Sequence, residues 1–321
     1  MLKAALIGAG GMGGVHLNRY KTLDGVQLAA IADIRTDVAA EKADDESIKI
    51  YSDYKEMIAN EELDFVDICT PSYMHADMAV YALEHGLHVI CEKPMVLNAA
   101  DGEKVMAAAQ KSGKFFMAAH VVRFMKPYSY LKDIVDSKEL GAPVHINMSR
   151  VSQTPRWSWE QWMLCKEKSG LTPIDLHIHD VDFMQSVFGM PKAISATYHE
   201  LRGGTDYILS CYTYDGFAVS VEAAWYNPDF SFSASYRAIF ENGCVIFDGE
   251  KLFKNGQEVD LGAAGSEDTG INLSSTDGYG EEIRYFTECI INGTAPEKVT
   301  PQSSYDSVRL IEETLKNCIR V

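Results

Sequence analysis

In the first part of the chain, short apolar runs alternate with amphipathic helical patterns. The apolar runs predict β-strands at 3–7, 26–32, 64–69, 87–91 and 115–120. Helical patterns follow at 14–20, 52–58, 73–86 and 98–112. A parallel sheet covered by helices on both faces requires this alternation. We therefore predict a doubly wound parallel α/β domain of the Rossmann type over residues 1–121.

The pattern changes in the rest of the chain, which we predict to form a second, α+β domain over residues 122–321. Helical patterns at 128–137 and 174–188 flank a strand at 143–151. Five further strands are predicted at 193–201, 207–214, 218–225, 231–241 and 243–248. Asp215-Gly216 and Asn242-Gly243 mark tight turns between them, so the sheet should be large, open and mostly antiparallel. A polar, glycine-rich loop near the cleft is expected at 262–280, and helices at 279–292 and 303–319, the last of which can pack back on the first domain.

Composition and charge narrow the range of partners and compartments. The 321 residues carry a formal net charge of −17, which repels nucleic acid and anionic membranes. The seven cysteines are scattered without a C-x-x-C pair, which is typical of reduced thiols. The sequence starts directly on a core strand and has no apolar run long enough to cross a bilayer. We expect a cytoplasmic protein with no nucleic-acid or membrane partner.

A glycine-rich turn joins the first strand to the first helix. Gly8, Gly10 and Gly13 have the spacing G-x-G-x-x-G, with Gly11 and Met12 between them. In this setting the first glycine permits a tight turn, the second lets a pyrophosphate approach the backbone, and the third allows close packing of helix and strand. The phosphates then lie at the helix N-terminus. We therefore predict a dinucleotide site.

The second strand ends at Asp33, twenty residues after Gly13. An acidic residue there can accept hydrogen bonds from both ribose hydroxyls and would repel a 2′-phosphate. Arg35 lies two residues further and could pair with such a phosphate. NAD is the predicted cofactor, and NADP stays open.

Two further strand ends carry polar residues that should face the same cleft. Thr70-Pro71 stops one strand, Ser72 can cap the next helix, and His75 lies in that helix's first turn. The following strand ends in Glu92-Lys93 before Pro94. A lysine there can hydrogen-bond a substrate hydroxyl and favour the alkoxide that develops during hydride loss. The alternative interpretation of His75 is a histidine that only packs in the fold, and that of Lys93 is an exposed lysine in a turn.

The segment from Asp175 to Asp182 is the strongest candidate for acid–base chemistry. On one continuous helix, Asp175 and His179 are four residues apart and share a face, with Asp182 one turn beyond. His179 suits proton transfer near neutral pH. A metal site is the rival interpretation, but His177 and His179 would point in nearly opposite directions on a helix, so we predict no metal.

A loop dense in aromatic and cationic residues precedes that segment. It contains Arg156, Trp157, Trp159, Trp162 and Lys166. Indole faces pack on the C–H faces of sugar rings, and the cations can donate to hydroxyls. The alternative is a loop docked on the sheet or at a subunit contact.

These motifs together resemble the Gfo/Idh/MocA oxidoreductases, which are nicotinamide-dependent dehydrogenases of sugars, inositols and related polyols. The resemblance rests on the glycine turn with His16, on Asp33, on Thr70-Pro71 with His75, on Glu92-Lys93-Pro94, on Arg123-Phe124 with Pro127, on Leu140-Gly141, on Asp175 with His179, and on 279–293. It implies that Lys93, Asp175 and His179 form the catalytic set. His177 departs from the family, since many members have glycine there.

The expected reaction is hydride transfer between NAD and a secondary alcohol of a cyclic polyol or sugar. The predicted substrate-binding residues are Lys93, Arg123, Arg156, Trp157, Trp162, Asp175 and His179. An NAD-dependent glycoside-cleaving enzyme that works by transient oxidation and elimination is the alternative, and a non-catalytic NAD sensor is a third possibility. The resemblance also implies a homodimer or homotetramer formed through the second domain's sheet.

Overall fold

A computed structural model describes residues 1–262 and 277–321. Most of the loop predicted at 262–280 therefore lies outside the described residues. Two compact units are present: Met1–Val121 with Tyr279–Tyr305, and Val122–Gly278 with Asp306–Val321. No helix among the described residues is long and apolar enough to span a membrane.

A six-stranded parallel sheet forms the centre of the first unit. Its strands are β1 (Leu2–Ile7), β2 (Val26–Ala32), β3 (Lys49–Tyr51), β4 (Phe65–Ile68), β5 (His88–Glu92) and β6 (Phe116–Ala119). Their spatial order is β3-β2-β1-β4-β5-β6, with the order reversing between β1 and β4. Ligands bind outside the carboxyl ends of the strands at such a switch point. The predicted doubly wound fold is confirmed.

The helices of this part of the chain connect successive strands. They are α1 (Gly11–Tyr20), α2 (Thr36–Ala43), α3 (Tyr54–Asn60), α4 (His75–Glu84) and α5 (Ala99–Ser112). The Asn98 side chain caps α5 by accepting a hydrogen bond from the Asp101 backbone N–H. Ser72, in contrast, does not cap α4 as predicted. It is buried in a 3-10 turn, Ser72–Met74, which leads the chain into α4 and leaves Met74 at the capping position.

The second unit is built on a nine-stranded sheet. In chain order its elements are α6 (Lys126–Ser137), β7 (Pro143–Gln153), α7 (Lys166–Ser169), α8 (Leu171–Asp175), α9 (Ile178–Phe188), β8 (Ala193–Arg202), β9 (Thr205–Thr213), β10 (Ala218–Tyr226), β11 (Ser233–Phe240), β12 (Gly243–Phe247), β13 (Leu252–Lys254) and β14 (Gln257–Val259). The strand order is β14-β13-β12-β11-β7-β10-β9-β8, followed by one more strand at the edge. Only the pairing of β7 with β10 is parallel within these eight, so the predicted mostly antiparallel sheet is confirmed.

Two helices and a short strand complete the described chain: α10 (Gly278–Asn292), α11 (Pro301–Lys316) and β15 (Cys318–Arg320). The helix predicted at 303–319 thus ends earlier, because the chain extends after Asn317 and pairs in parallel with β8. The ring of Phe286 in α10 packs edge-on against Phe65 of β4, with centroids 5.9 Å apart. The late segment therefore supplies part of the core of the first unit.

Candidate active site

Two glycines of the first turn are explained by packing within the protein. Gly8 has a φ of +95°, and a Cβ built there would lie 2.8 Å from the Cys69 carbonyl oxygen. A Cβ at Gly13 would lie 1.9 Å from the Gly8 carbonyl oxygen. Larger residues at these positions would force the turn, α1 and β4 apart. These two glycines therefore serve the close approach of backbone segments.

Gly10 needs a different explanation. Its φ is −69° and its ψ is −148°, and a Cβ built on it would meet no atom of the described residues within 4 Å. Among the described residues, no side chain caps α1, whose first turn holds exposed Gly11 and half-buried Met12. Helix N-termini without a cap present backbone N–H groups to anions. The open space beside Gly10 fits a pyrophosphate held at this helix end.

Asp33 is tied to the glycine turn. Its Oδ2 accepts a hydrogen bond from the Ala9 backbone N–H at 2.7 Å, and its Oδ1 accepts one from the Arg35 N–H at 2.8 Å. The Arg35 Nε lies 3.6 Å from the same Oδ1. The carboxylate is thus fixed at the end of β2, beside the turn that would hold the phosphates. A ribose next to that turn would meet both the carboxylate and the guanidinium.

Lys42 of α2 contacts the glycine turn, and the sequence pattern does not reveal this contact. Its Nζ donates hydrogen bonds to the carbonyl oxygens of Ala9 and Gly10, at 2.8 and 2.7 Å. Partial burial and the charge of Arg35 lower the pKa of Lys42, while Asp33 raises it. The ammonium fixes the turn from its carbonyl side, which leaves the N–H side for a ligand. In the sequence Lys42 is one of several charged residues on an amphipathic helix, without a distinguishing signal.

Replacing Asp33 with serine is expected to shift the cofactor preference toward NADP at least tenfold, measured as the ratio of kcat/KM for the two cofactors. The substitution removes a charge that repels a 2′-phosphate and leaves Arg35 and Lys42 in place, and a tenfold change corresponds to about 1.4 kcal/mol. Asp37→Ser is the matched control, because Asp37 is exposed on α2 and the substitution removes the same charge. An unchanged ratio in Asp33→Ser would rule out the specificity role of Asp33.

Thr70 and Pro71 follow the end of β4 and are half-buried. His75, however, is only 1 % exposed, and its ring lies between two backbone carbonyls. Nδ1 is 2.8 Å from the Pro94 oxygen and Nε2 is 2.9 Å from the Thr70 oxygen. Burial lowers the pKa of His75. The ring therefore connects the turns after β4 and β5, and both of its nitrogens lie against backbone carbonyls. The prediction that His75 faces the cofactor loses support.

Glu92 and Lys93 lie at the carboxyl end of β5, and a cis peptide bond joins Lys93 to Pro94. The Glu92 Oε2 accepts a hydrogen bond from the Lys93 backbone N–H at 3.0 Å. Burial acts to raise the pKa of Glu92, but the hydrogen bond and charge of His16 and the charge of Lys93 bring it below its usual value. Glu92 is thus a buried carboxylate that fixes the backbone of Lys93, whose side chain is half-buried.

In the second unit, Asp175 and His179 lie on two successive helices. The helix predicted at 174–188 is interrupted between α8 and α9, where the His177 backbone N–H bonds to the Thr172 carbonyl at 2.8 Å and the His179 N–H to the Leu176 carbonyl at 3.4 Å. Asp175 is 6 % exposed and His179 is half-buried. Asp175 and His179 are therefore not the i, i+4 pair of one continuous helix that the spacing predicted.

Buried ion pairs anchor α9. The Arg123 guanidinium binds Asp182 through two contacts of 2.8 and 2.6 Å, and the Ser307 hydroxyl donates to the same carboxylate at 2.8 Å. Arg150 binds Asp180 in the same two-point manner, with both contacts at 2.9 Å. Breaking such a buried pair leaves an uncompensated charge, so these contacts fix the helix that carries His179. The prediction that Arg123 binds substrate loses support, because Arg123 is buried and committed to Asp182.

His177 contacts the sheet of the second unit. It is fully buried, and its Nε2 lies 2.8 Å from the Ser210 hydroxyl of β9. Burial lowers the pKa of His177 to about 3, so the ring is neutral. His177 therefore attaches the start of α9 to the sheet.

The aromatic loop before α7 exposes part of its indole surface. Trp157 is 65 % exposed and Trp159 is 39 % exposed, while Trp162 is half-buried. Arg156 is exposed and donates to the Asn227 side-chain oxygen at 2.7 Å. This geometry is compatible with a wall for a sugar ring and with a contact to another subunit.

Comparison with known proteins identifies the family of the chain. Residues 2–120 match the model of an oxidoreductase family with an NAD-binding Rossmann fold, GFO/IDH/MocA, and residues 128–246 match the GFO/IDH/MocA C-terminal domain. An inositol 2-dehydrogenase of Salmonella typhimurium is 38% identical over 171 residues, which cover 50% of this chain and 51% of that enzyme. A 2,7-anhydro-N-acetylneuraminate hydratase of Mediterraneibacter gnavus is 29% identical over 60% of this chain and 51% of its own length.

Among solved structures, an oxidoreductase of Agrobacterium radiobacter in complex with NAD+, L-tartaric acid and magnesium has a TM-score of 0.86. It is 18% identical, and the match covers 98% of this chain and 96% of that one, which establishes a common fold. The chain aligns with about half the length of the curated relatives it matches. With both domain models matched, the parallel six-stranded sheet and the glycine turn in place, the chain belongs to the GFO/IDH/MocA family of oxidoreductases with an NAD-binding Rossmann fold.

Proposed function

We propose that this protein is an NAD-dependent dehydrogenase that oxidises a secondary alcohol of a cyclic polyol or sugar. Lys93, Asp175 and His179 are its catalytic residues. The observation that carries the proposal lies in the first unit, where Gly10, Asp33 and Lys93 follow the carboxyl ends of β1, β2 and β5 of one parallel sheet. That edge is where doubly wound sheets bind dinucleotides. The inositol 2-dehydrogenase relative supports the substrate class.

NAD, when bound, supplies the acceptor for the hydride. In the proposed reaction His179 accepts the proton of the substrate hydroxyl while the C–H bond of the same carbon gives up its hydride, and a carbonyl group forms. The Lys93 ammonium donates a hydrogen bond to the reacting oxygen and stabilises its developing negative charge. Asp175 orients His179 or holds a neighbouring hydroxyl. A positioned acid–base residue of this kind contributes roughly 10²–10⁴-fold to the rate.

For the wall of the substrate pocket we propose the aromatic loop. Trp157 and Trp162 would pack on the C–H faces of the ring, and Arg156 would donate to a hydroxyl. The exposure of the indole of Trp157 supports this assignment. Arg123 is omitted from the proposed pocket because Asp182 holds its guanidinium.

A second candidate function is an elimination or hydration reaction on a sugar that uses NAD without net turnover. The relative of Mediterraneibacter gnavus that is named a 2,7-anhydro-N-acetylneuraminate hydratase favours this candidate. Transient oxidation at one carbon acidifies the neighbouring C–H bond, so the same base and the same lysine would serve. The two functions differ in whether NADH accumulates.

A panel assay separates them. With NAD and a set of inositols, hexoses, sugar acids, anhydro sugars and glycosides, we expect an absorbance increase from NADH with at least one free inositol or hexose. The same reaction with Lys93→Met enzyme is the control and should give no increase. Product formation from an anhydro sugar or glycoside, without net NADH, would instead establish the second candidate.

We also propose that the protein works in the cytoplasm as a homodimer or homotetramer formed through the outer face of the large sheet. All seven cysteines are free, which supports a reducing compartment. Leu209 on β9 and Ile319 on β15 are apolar and exposed at 40 % and 69 %, which supports a subunit contact on this sheet. Size-exclusion chromatography with light scattering gives the subunit number.

A further inference from the structure

A fully buried histidine bridges two carboxylates beneath the Lys93 turn. His16 of α1 is 0 % exposed. Its Nδ1 lies 2.8 Å from the Asp67 Oδ2 in β4, and its Nε2 lies 3.2 Å from the Glu92 Oε1 in β5. A neutral imidazole has one N–H and can donate to only one of these two acceptors. With both acids ionised, both contacts are hydrogen bonds only if the ring carries two protons, whereas a neutral ring would require one of the two acids to be protonated.

The surroundings of His16 favour that charge. The Tyr20 hydroxyl donates to the Asp67 Oδ2 at 2.8 Å, and the Cys69 sulfur is 3.4 Å from the His16 Nδ1. From α10, an oxygen of Glu282 lies within 4.8 Å of ring and carboxylate atoms of His16 and Glu92, and the Tyr279 ring centroid is 6.2 Å away. Burial alone would lower the pKa of His16, but the Asp67 carboxylate and the neighbouring thiol raise it well above the usual value.

The bridge leads directly to the backbone of Lys93. One oxygen of Glu92 contacts His16 and the other accepts the Lys93 backbone N–H at 3.0 Å. Three elements, α1, β4 and β5, are thereby connected by one side chain. Without a cation here, two buried carboxylates would contact one neutral ring, and at least one of them would take up a proton.

We propose that His16 is a positioning residue that stays protonated at neutral pH and, by holding Glu92 as a carboxylate, fixes the turn that presents Lys93. The inference deepens the proposed function, since it rests on Lys93 being catalytic. His16 itself touches neither substrate nor the reacting atoms in this scheme. Its contribution is to the rate of the chemical step and not to the affinity for the dinucleotide.

Nitrogen NMR tests the protonation without any assay of activity. In full-length protein labelled with ¹⁵N-histidine at pH 7.5, we expect one buried ring with protons on both nitrogens, and its signals should disappear in His16→Gln. His88 is the internal control, because its Nδ1 accepts the Phe115 N–H and burial lowers its pKa to about 4, so it should show a single ring proton. A His16 ring with one proton at pH 7.5 would overturn the proposal.

Kinetics test the positioning role. For His16→Gln we expect kcat to fall at least tenfold while the Kd for NAD stays within about threefold, whereas the matched His88→Gln on the opposite end of β5 keeps both. Glu92→Gln keeps the shape but loses the negative charge and one of the two acceptor oxygens, so its amide oxygen cannot replace both the His16 and the Lys93 contacts, and it should reproduce the fall in kcat. If His16→Gln fails to fold, Glu92→Gln provides the kinetic test. Normal kcat in whichever variant folds would overturn the role.

Two outcomes separate this proposal from its neighbours. Stoichiometric zinc or another transition metal in the purified protein would overturn it, since His16, Asp67 and Cys69 place three possible ligand atoms within 4.8 Å of one another. If the wild-type enzyme turns over no member of the substrate panel, the proposed function fails. The NMR experiment would still report the protonation state of His16.

Discussion

Replacing His179 with alanine is expected to lower kcat by at least 100-fold and to leave the Kd for NAD within about threefold. The imidazole is the proposed acceptor of the hydroxyl proton, and general-base catalysis typically contributes 10²–10⁴-fold. His179 lies in the second unit, whereas the glycine turn, Asp33 and Lys42 lie in the first, so the residues assigned to the dinucleotide are unchanged. Steady-state kinetics and titration calorimetry with NAD give the two quantities.

Lys93→Met should show the same pattern, since methionine keeps most of the side-chain length and removes the charge. The matched control is His199→Ala, which removes another half-buried imidazole of the second unit, on β8, and should keep kcat. If His179→Ala or Lys93→Met turned over near the wild-type rate, the corresponding catalytic assignment would be withdrawn.

Local patterns predicted most of the framework of the first unit, although α2 and β3 were not among the predicted segments. The strand at 26–32 has the predicted bounds, because five of its seven residues are buried and its apolar run lies between polar turns. Asn98 before α5 likewise follows from capping chemistry. Ser72 has the same chemistry but does not cap α4, because it lies buried in the 3-10 turn that precedes this helix.

The contacts of the candidate site depend on long-range pairing and were harder to predict. Lys42 reaches the glycine turn from a helix thirty-two residues away in the chain, and nothing in its local sequence marks it. Asp67 lies within the apolar run that predicts β4, and its contacts were not predicted. A carboxylate in a run of buried residues does indicate a buried polar partner. That partner is His16, fifty-one residues earlier.

The region around His179 shows the same limit. Spacing alone placed Asp175 and His179 on one helical face, but the helix is interrupted between them, where the buried His177 contacts Ser210. Asp180 and Asp182 of this segment form ion pairs with Arg150 and Arg123. Asp175 and His179 keep their proposed catalytic roles. Residue types predicted the chemistry of this segment, and tertiary partners decided which residues take part.

Gly10→Ala is expected to raise the Kd for NAD at least 100-fold and to cost less stability than Gly13→Ala. With φ at −69° and ψ at −148°, the backbone at Gly10 lies outside the main regions of alanine, which costs on the order of 1 kcal/mol. The added methyl group meets no atom of the described residues within 4 Å, so the melting temperature should fall by only a few degrees. The methyl group instead enters the space proposed for the pyrophosphate.

Gly13→Ala provides the matched comparison, because the same methyl group there would lie 1.9 Å from the Gly8 carbonyl oxygen. Overpacking of this kind costs about 1–3 kcal/mol or more, so this variant should melt at a lower temperature. The pair thus separates a glycine required by the ligand from one required by the fold. Unchanged NAD affinity in a stable Gly10→Ala protein, measured by calorimetry, would mean that the dinucleotide does not approach the backbone at Gly10, and the proposed cofactor position would have to be abandoned.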